Sequence, residues 1–276
     1  MMSGTIPVSV LIVTRREAPR IERCLRALSD FSEIIVIDSN SDDDTSVLAQ
    51  PLCTRVENFT WNGQYPKKRQ WCLDNLHLRH DWVLFVDADE IVPQALVDEI
   101  AQLFAAGEPT CAGYFIKGRY VMEGRSLRFG LQNNKLALFD RRALMFPVLD
   151  DLAIPGMGEI EGHYQPVFRS GVTQRKLGVL KRPLLHYAYD NPEGWQRRHE
   201  RYAQWEAGMN RHKAWPNDPV VWRQLLKGLY RALPCRGMIA FTHSYIVKSG
   251  WRDGARGFRL ARDRYHYYKL IARKKI

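Results

Sequence analysis

Three short apolar runs in the first ninety residues constrain the fold most, at residues 8–13, 34–37 and 82–86. Each is rich in β-branched or large apolar side chains and too short for a buried helix, so each predicts a buried strand. Helical signals separate them. Ile21, Cys24, Leu25 and Leu28 recur at i, i+3, i+4 and i+7 after the first run. After the second, the turn formers and acids of residues 39–45 open a short helix to about Gln50; a weaker strand near Arg55 and Val56 and a helix over residues 66–79 lead to the third. Strand and helix alternating over so few residues require right-handed crossovers and a parallel, doubly wound α/β sheet. Pro93 then opens a helix with Leu96, Val97, Ile100, Leu103 and Phe104 on one face. Strand-like pieces follow at 114–121, 135–139 and 179–187, and from Asn191 the chain turns helical, aromatic and basic.

The third run stops abruptly at Asp87, Ala88, Asp89 and Glu90, and the second ends on Asp38. In an open α/β sheet the ligand crevice lies beyond the carboxyl ends of the strands, so acids at those ends face a ligand rather than the core. Hard oxygen donors there suit Mg²⁺ or Mn²⁺ shared with a phosphate. Asp38 can accept from a uracil N3–H or a ribose hydroxyl, and together the two positions fit a nucleotide diphosphate. Lys67, Lys68 and Arg69, at the start of a helix, either add cations toward phosphate or form a solvated basic face.

A chain of 276 residues with 45% hydrophobic content can bury one large core or two modest ones. Its first residues carry neither a signal-peptide pattern nor an apolar run long enough to span a bilayer. Five scattered cysteines without a CxxC pair point to reduced thiols rather than disulfides or zinc, which predicts a cytoplasmic protein. The net charge of +11 is uneven: residues 191–276 hold 19 Lys and Arg against 6 Asp and Glu, and the remainder 22 against 24. The basic tail predicts a surface for anionic lipid, nucleic acid or an acidic acceptor.

The motifs resemble those of the family-2 glycosyltransferases, which have the GT-A fold. Thr14-Arg15-Arg16-Glu17 is similar to that family's T-x-N-E, with Arg16 where Asn is usual. Residues 37–45 resemble VD-x-x-S-x-D-x-T, and Asp87-Ala88-Asp89 resembles D-x-D. Residues 68–70, 183–187 and 250–257 further resemble the branch containing the WaaE-type lipopolysaccharide-core glucosyltransferases, with Arg252 where an apolar residue is more usual. The resemblance implies metal-assisted, inverting hexosyl transfer from a nucleotide-diphosphate sugar, UDP favoured, to a lipid-linked or lipopolysaccharide glycan. It places Thr14, Arg15, Glu17, Asp38, Lys68, Arg69, Asp87, Ala88 and Asp89 around the donor, and Asp89, helped by Asp87, around Mn²⁺ or Mg²⁺; His186, after an apolar strand, is a candidate ligand of that metal or of the diphosphate. A lone histidine such as His186 is otherwise a half-buried structural residue. The implied catalytic domain covers residues 1–190, its donor half 1–110 and acceptor half 111–190, followed by a helical region over 191–276.

An inverting transfer needs a general base at the acceptor hydroxyl. Glu159 and Glu161 are the candidates, Glu161 slightly favoured, because an extended strand would put them and His163 on one face; Asp150 and Asp151 stand behind them. In the tail, Trp222, Leu225, Leu226, Leu229 and Leu233 make one apolar face with Arg223, Lys227 and Arg231 beside it. The last helix carries an Arg259, Arg262, His266, Lys269, Arg273 stripe between aromatic and apolar sides. Such a helix either lies on anionic lipid, at the inner face of the cell membrane, or packs on the body with solvated cations. Two other enzyme classes fit the acids less well. A haloacid-dehalogenase-type phosphatase places Asp-x-Asp after its first strand, and a nucleotidyltransferase needs a glycine-rich loop that residues 14–20 lack. A basic nucleic-acid module would leave Asp38, Asp87 and Asp89 without a purpose.

Overall fold

The computed structural model describes residues 5–161, 164–173, 175–190 and 192–274. In chain order these form β1 (Ile6–Thr14), α1 (Ala18–Arg26), β2 (Phe31–Asp38), α2 (Thr45–Ala49), β3 (Arg55–Asn58), α3 (Lys68–Asn75), β4 (Trp82–Asp87), β5 (Glu90–Ile91) and α4 (Gln94–Phe104). Next come β6 (Gly113–Met122), β7 (Arg125–Ser126), β8 (Asn133–Asp140), β9 (Leu144–Met145), β10 (Val167–Phe168), β11 (Leu177–Val179) and β12 (Leu184–His186). Helices α5 (Pro192–His212), α6 (Val221–Ala232), α7 (Arg236–Thr242) and α8 (Gly254–Arg273) complete the chain.

Two compact units interleave along the sequence. One comprises Met1–Gly118, Asn134–Phe146 and Pro166–His186, the other Arg119–Asn133, Pro147–Gln165 and Tyr187–Ile276. Residues 119–133 and 147–165 thus group with the C-terminal helices, where the sequence suggested one break near residue 190.

The first unit is built on a mixed sheet of order β3-β2-β1-β4-β8-β6-β12-β5. Strands β3, β2, β1 and β4 are parallel, as the strand and helix alternation requires, whereas β8 joins β4 antiparallel and β12 joins β5 antiparallel. Both faces of the parallel part are covered, which is why its strands read as unbroken apolar runs. Val8, Val10, Ile12, Val36, Leu84 and Val86 meet Ile21, Cys24 and Leu25 of α1 and Leu96, Val97 and Ile100 of α4. The alternate residues include Phe85, whose ring packs at 5.9 Å on Phe139 and 5.4 Å on Phe146. Pro19 in the first turn of α1 and Arg23 and Arg26 in its last satisfy the usual asymmetry of helix ends.

In the second unit α8 packs through Ile271 on Ala203 and Ala207 of α5. The Gly250 to Gly257 motif is a packing knot. A Cβ on Gly257 would lie 1.8 Å from the Gly250 carbonyl oxygen, so only glycine permits this approach. Asp253 accepts the backbone N–H of Arg128 at 3.2 Å and of Phe129 at 2.8 Å, tying residues 128–129 to the start of α8. The unusual Arg252 stacks its guanidinium 4.3 Å from the Phe129 ring centroid. Leu260, Ala261 and Ile271 of α8 are buried and Tyr267 donates to Glu206 at 2.9 Å, while Arg262, His266, Lys269 and Arg273 are exposed. α8 therefore packs one side on its own unit and leaves the cation stripe exposed. No helix among the described residues is long and apolar enough to cross a membrane.

Candidate active site

Parallel register brings the acid-bearing strand ends into one row. Thr14 pairs with Asp38 across β1 and β2, and Val13 pairs with Asp87 across β1 and β4. Asp38 is 1% exposed and its carboxylate is already occupied: it accepts from the Thr14 hydroxyl at 3.0 Å and from the Ser41 backbone N–H at 2.7 Å. It therefore shapes the loop after β2, with at most its remaining lone pairs turned to a ligand. Asp43 continues the lacing by accepting from Thr45 N–H at 3.1 Å and Ala18 N–H at 3.3 Å, and the Thr45 hydroxyl accepts the Glu17 N–H at 2.8 Å.

At the end of β4 the Asp87 carboxylate binds Arg69 at 2.7 Å and Lys135 at 3.2 Å. Burial works against its charge, but Lys135 and Arg69 outweigh it and hold Asp87 well below the ordinary carboxylate range. Lys135 also binds Glu90, whose same oxygen accepts the Asp87 N–H at 3.0 Å. Glu90 is fully buried, and its Oε1 has no hydrogen-bond partner among the described residues. Burial, against the pull of Lys135, pushes its carboxyl above the usual glutamate range, and the Asp87 charge adds to this. Lys135 was not foreseen as a site residue. The β4 and β8 register pairs Leu84 with Leu138, and beyond that pair the Lys135 ammonium reaches Asp87, a relation that depends on an antiparallel neighbour far along the chain.

Asp89 and His186 form the second half. The two-residue strand β5 pairs with β12 so that Glu90 lies opposite His186, and His186 Nε2 sits 3.5 Å from Asp89 Oδ1. Burial opposes protonation of His186, but the Asp89 charge prevails and raises its pKa above the usual value. Ala88 turns the other way, into the apolar core. Lys68 is buried and donates to the Thr14 carbonyl at 3.2 Å, Lys67 is buried beside the Tyr65 ring, Arg15 is exposed, and Glu17 pairs with Arg20 at 2.8 Å.

The fit to a divalent cation can be judged from these donors. Among the described residues no cluster of three or more His, Cys, Asp and Glu forms a protein cage. Mg²⁺ and Mn²⁺ in phosphate sites do not need one, since one or two protein ligands with substrate oxygens suffice. Asp89 and His186 offer an oxygen and a nitrogen 3.5 Å apart, a little wider than the roughly 3 Å between adjacent ligands of an octahedral ion with bonds of about 2.1 Å, a gap that a small side-chain adjustment closes. The pair fits a metal. Asp87 does not fit equally, because two cations already hold its oxygens.

Residues 9–152 match the family described as glycosyl transferase family 2, just over half of the chain. The chain belongs to glycosyl transferase family 2. An uncharacterized glycosyltransferase of Rickettsia bellii is 36% identical over 103 residues, covering 37% of this chain and 34% of that protein. The lipopolysaccharide core biosynthesis glycosyltransferase LpsC of Rhizobium meliloti is 28% identical over 142 residues, 46% of this chain and 52% of LpsC. The chain thus spans from about a third to about half of the length of these curated relatives. Among solved structures, glucosyl-3-phosphoglycerate synthase of Mycobacterium tuberculosis, in complex with Mn²⁺, UDP and glucosyl-3-phosphoglycerate, is 25% identical. The match covers 41% of this chain and 44% of that one, with a TM-score of 0.32.

Two positions stand out in this family-2 chain. Arg16, where the family has Asn, adopts φ 57°, a left-handed conformation that Asn enters readily and arginine does not. Here its guanidinium is held by both Asp42 oxygens, at 2.5 and 2.7 Å. The candidate base stretch differs from the extended strand anticipated. Residues 158–160 form a turn closed by Ile160 N–H on the Met157 carbonyl at 3.0 Å, so Glu159 and Glu161 do not alternate along a strand. Glu161 is buried and Glu159 half-buried; His163 lies outside the described residues. Asp151 is buried and accepts the Trp205 indole N–H at 3.0 Å, a structural use, while Asp150 is exposed.

Proposed function

We propose that this chain transfers a hexosyl group, with inversion, from a nucleotide-diphosphate sugar, UDP favoured, to a lipid-linked or lipopolysaccharide-type glycan. The observation that carries the reading is the Asp89 and His186 pair, 3.5 Å apart at the strand ends beside an Asp87 fixed by two cations, in a family-2 chain.

In this reading Asp89 and His186 hold Mn²⁺ or Mg²⁺, which when bound offsets charge developing on the departing diphosphate. Arg69 and Lys135 keep Asp87 ionised and in place, so its position is set before the donor arrives. Asp38, with Thr14 and Ser41, shapes the nucleotide end of the site; Lys68 braces the same loop, and Arg15 and Glu17 flank it. Glu161, or Glu159, takes the proton from the acceptor hydroxyl as its oxygen bonds to the anomeric carbon and the bond from that carbon to the diphosphate oxygen breaks. Displacement from the opposite face inverts that centre. The LpsC likeness and the basic C-terminal helices support an acceptor held at a membrane surface.

The test is hydrolysis of a panel of nucleotide sugars by the purified protein, with and without Mn²⁺. One donor should be cleaved slowly in a metal-dependent way, and Asp89→Ala should lose that cleavage at unchanged melting temperature. Metal-independent cleavage that survives Asp89→Ala would overturn the assignment.

A further inference from the structure

Helix α6 is turned inside out relative to a helix of a water-soluble core. Its apolar face, Val221, Trp222, Leu225, Leu226 and Leu229, is exposed, with Leu225 at 69% and Leu229 at 62%, and Leu233 just past its end is exposed too. Its polar side is the one held to its own unit. Arg223 and Lys227 reach Asp218 at 3.6 and 2.5 Å, Arg231 lies 3.8 Å from the Trp215 ring centroid, and Tyr230 donates to the Arg236 carbonyl at 2.9 Å. Amphipathic helices ordinarily bury the apolar stripe and solvate the charged one. Twelve of the seventeen exposed large apolar side chains among the described residues fall between 221 and 258. Exposed apolar surface gathered in this way marks a contact with another phase or partner.

We infer that α6 lies in the headgroup layer of an anionic membrane with this apolar face inserted. The inference deepens the proposed function, resting on it only for the lipid-linked acceptor. Charge selects the occupant. Residues 219–252 contain six Lys and Arg and no Asp or Glu. Two of the cations, Lys248 and Arg252, are exposed beside the exposed Ile246, Val247 and Trp251. Apolar side chains with tryptophan at the water boundary and flanking cations match an interfacial helix on anionic lipid. A second copy fits worse, because two-fold packing sets the same acid-free surface against itself and brings like charges together.

The experiment is flotation of the full chain with vesicles of phosphatidylcholine alone or mixed with phosphatidylglycerol, at low and high salt. Wild-type protein should float with the mixed vesicles and less so in high salt. The double variant Leu225→Glu, Leu229→Glu should lose more than about tenfold in partitioning, with melting temperature and nucleotide-sugar hydrolysis unchanged because both side chains are exposed. Equal partitioning of variant and wild type, or none by either, overturns the inference. So does a wild-type dimer in sedimentation that the double variant dissolves without any vesicle binding, which would give the face to a second copy and leave the transferase reading standing. Vesicle binding that depends on Leu225 and Leu229 in a protein that cleaves no nucleotide sugar would support the lipid face and sink the transferase reading instead.

Discussion

The ammonium of Lys135 lies 3.2 Å from the carboxylate of Asp87 and bridges it to the buried Glu90. One cation thereby serves two acids that would otherwise repel each other at the end of β4. Lys135→Met should destabilise the protein by about 3 kcal/mol, the typical cost of stranding a buried charge. Adding Glu90→Gln should restore part of the loss, since the amide oxygen still accepts from the Asp87 N–H. Denaturant unfolding of the two single variants and the double variant measures the coupling; purely additive losses would show that the bridge contributes nothing.

The two aspartates of the D-x-D stretch should separate in a metal titration. Asp89→Asn and His186→Ala should each weaken Mn²⁺-dependent UDP binding by at least about 100-fold, since even residues that only support a ligand cost 10 to 100-fold. Asp87→Asn, whose oxygens serve Arg69 and Lys135, should weaken it much less. Calorimetric titration gives the ranking, and equal losses at 87 and 89 would place both on the ion.

Asp38→Ala should raise the donor KM with little change in kcat and lower stability by about 1 to 3 kcal/mol, because the Ser41 N–H and Thr14 hydroxyl lose their buried acceptor. Asp38→Asn, which keeps an acceptor, should recover most of the stability. Steady-state kinetics beside thermal unfolding separate these effects; a collapse of kcat at unchanged KM would move Asp38 into the chemical step.

Single substitutions of Glu159 and Glu161 by Gln should show one position losing kcat by about 10² to 10⁴, with nucleotide binding retained. Glu161, the more buried, is the expected position. Two mild effects would exclude both as the base.

Asp140 gives a pH test away from the site. Burial works against its charge, yet hydrogen bonds from Arg142 and the ion pair with Arg175 hold its pKa below the usual carboxylate value. A depressed folded-state pKa contributes stability that is present above about pH 4 and lost as pH falls through the folded value. Wild-type melting temperature should therefore drop more steeply below about pH 4 than that of Asp140→Asn. Parallel acid limbs would show that the cluster is not coupled to folding.

What the sequence made legible was whatever depended on local pattern. Asp38, Asp87 and Asp89 could be placed because each ends an apolar run, and parallel strands align such ends without further information. Lys135 was hidden because its place depends on β8 pairing antiparallel with β4, which no local periodicity encodes. The turn at 158–160 broke an alternation that Glu159, Glu161 and His163 only suggest, since glycine at 158 takes φ 53°. In the tail, periodicity found two amphipathic helices correctly but could not say which stripe each would bury. α8 packs its aromatic side and α6 turns its leucines out, and that choice is made by neighbours such as Glu206 and Asp218.

The pairing of β5 with β12 has a consequence for motion. Asp87 closes one strand and Glu90 opens the next, so only Ala88 and Asp89 bridge the gap, and His186 is registered opposite Glu90. A segment anchored in the sheet at both ends cannot swing aside as a loop does; its amides near 86, 87 and 91 should exchange with solvent only in larger openings of the unit. In the proposed transfer Asp89 and His186 would then form a stationary wall, and any clearance the proposed acceptor needs in order to arrive and leave would come from other parts of the chain, on a clock set by those parts and not by the carboxylates.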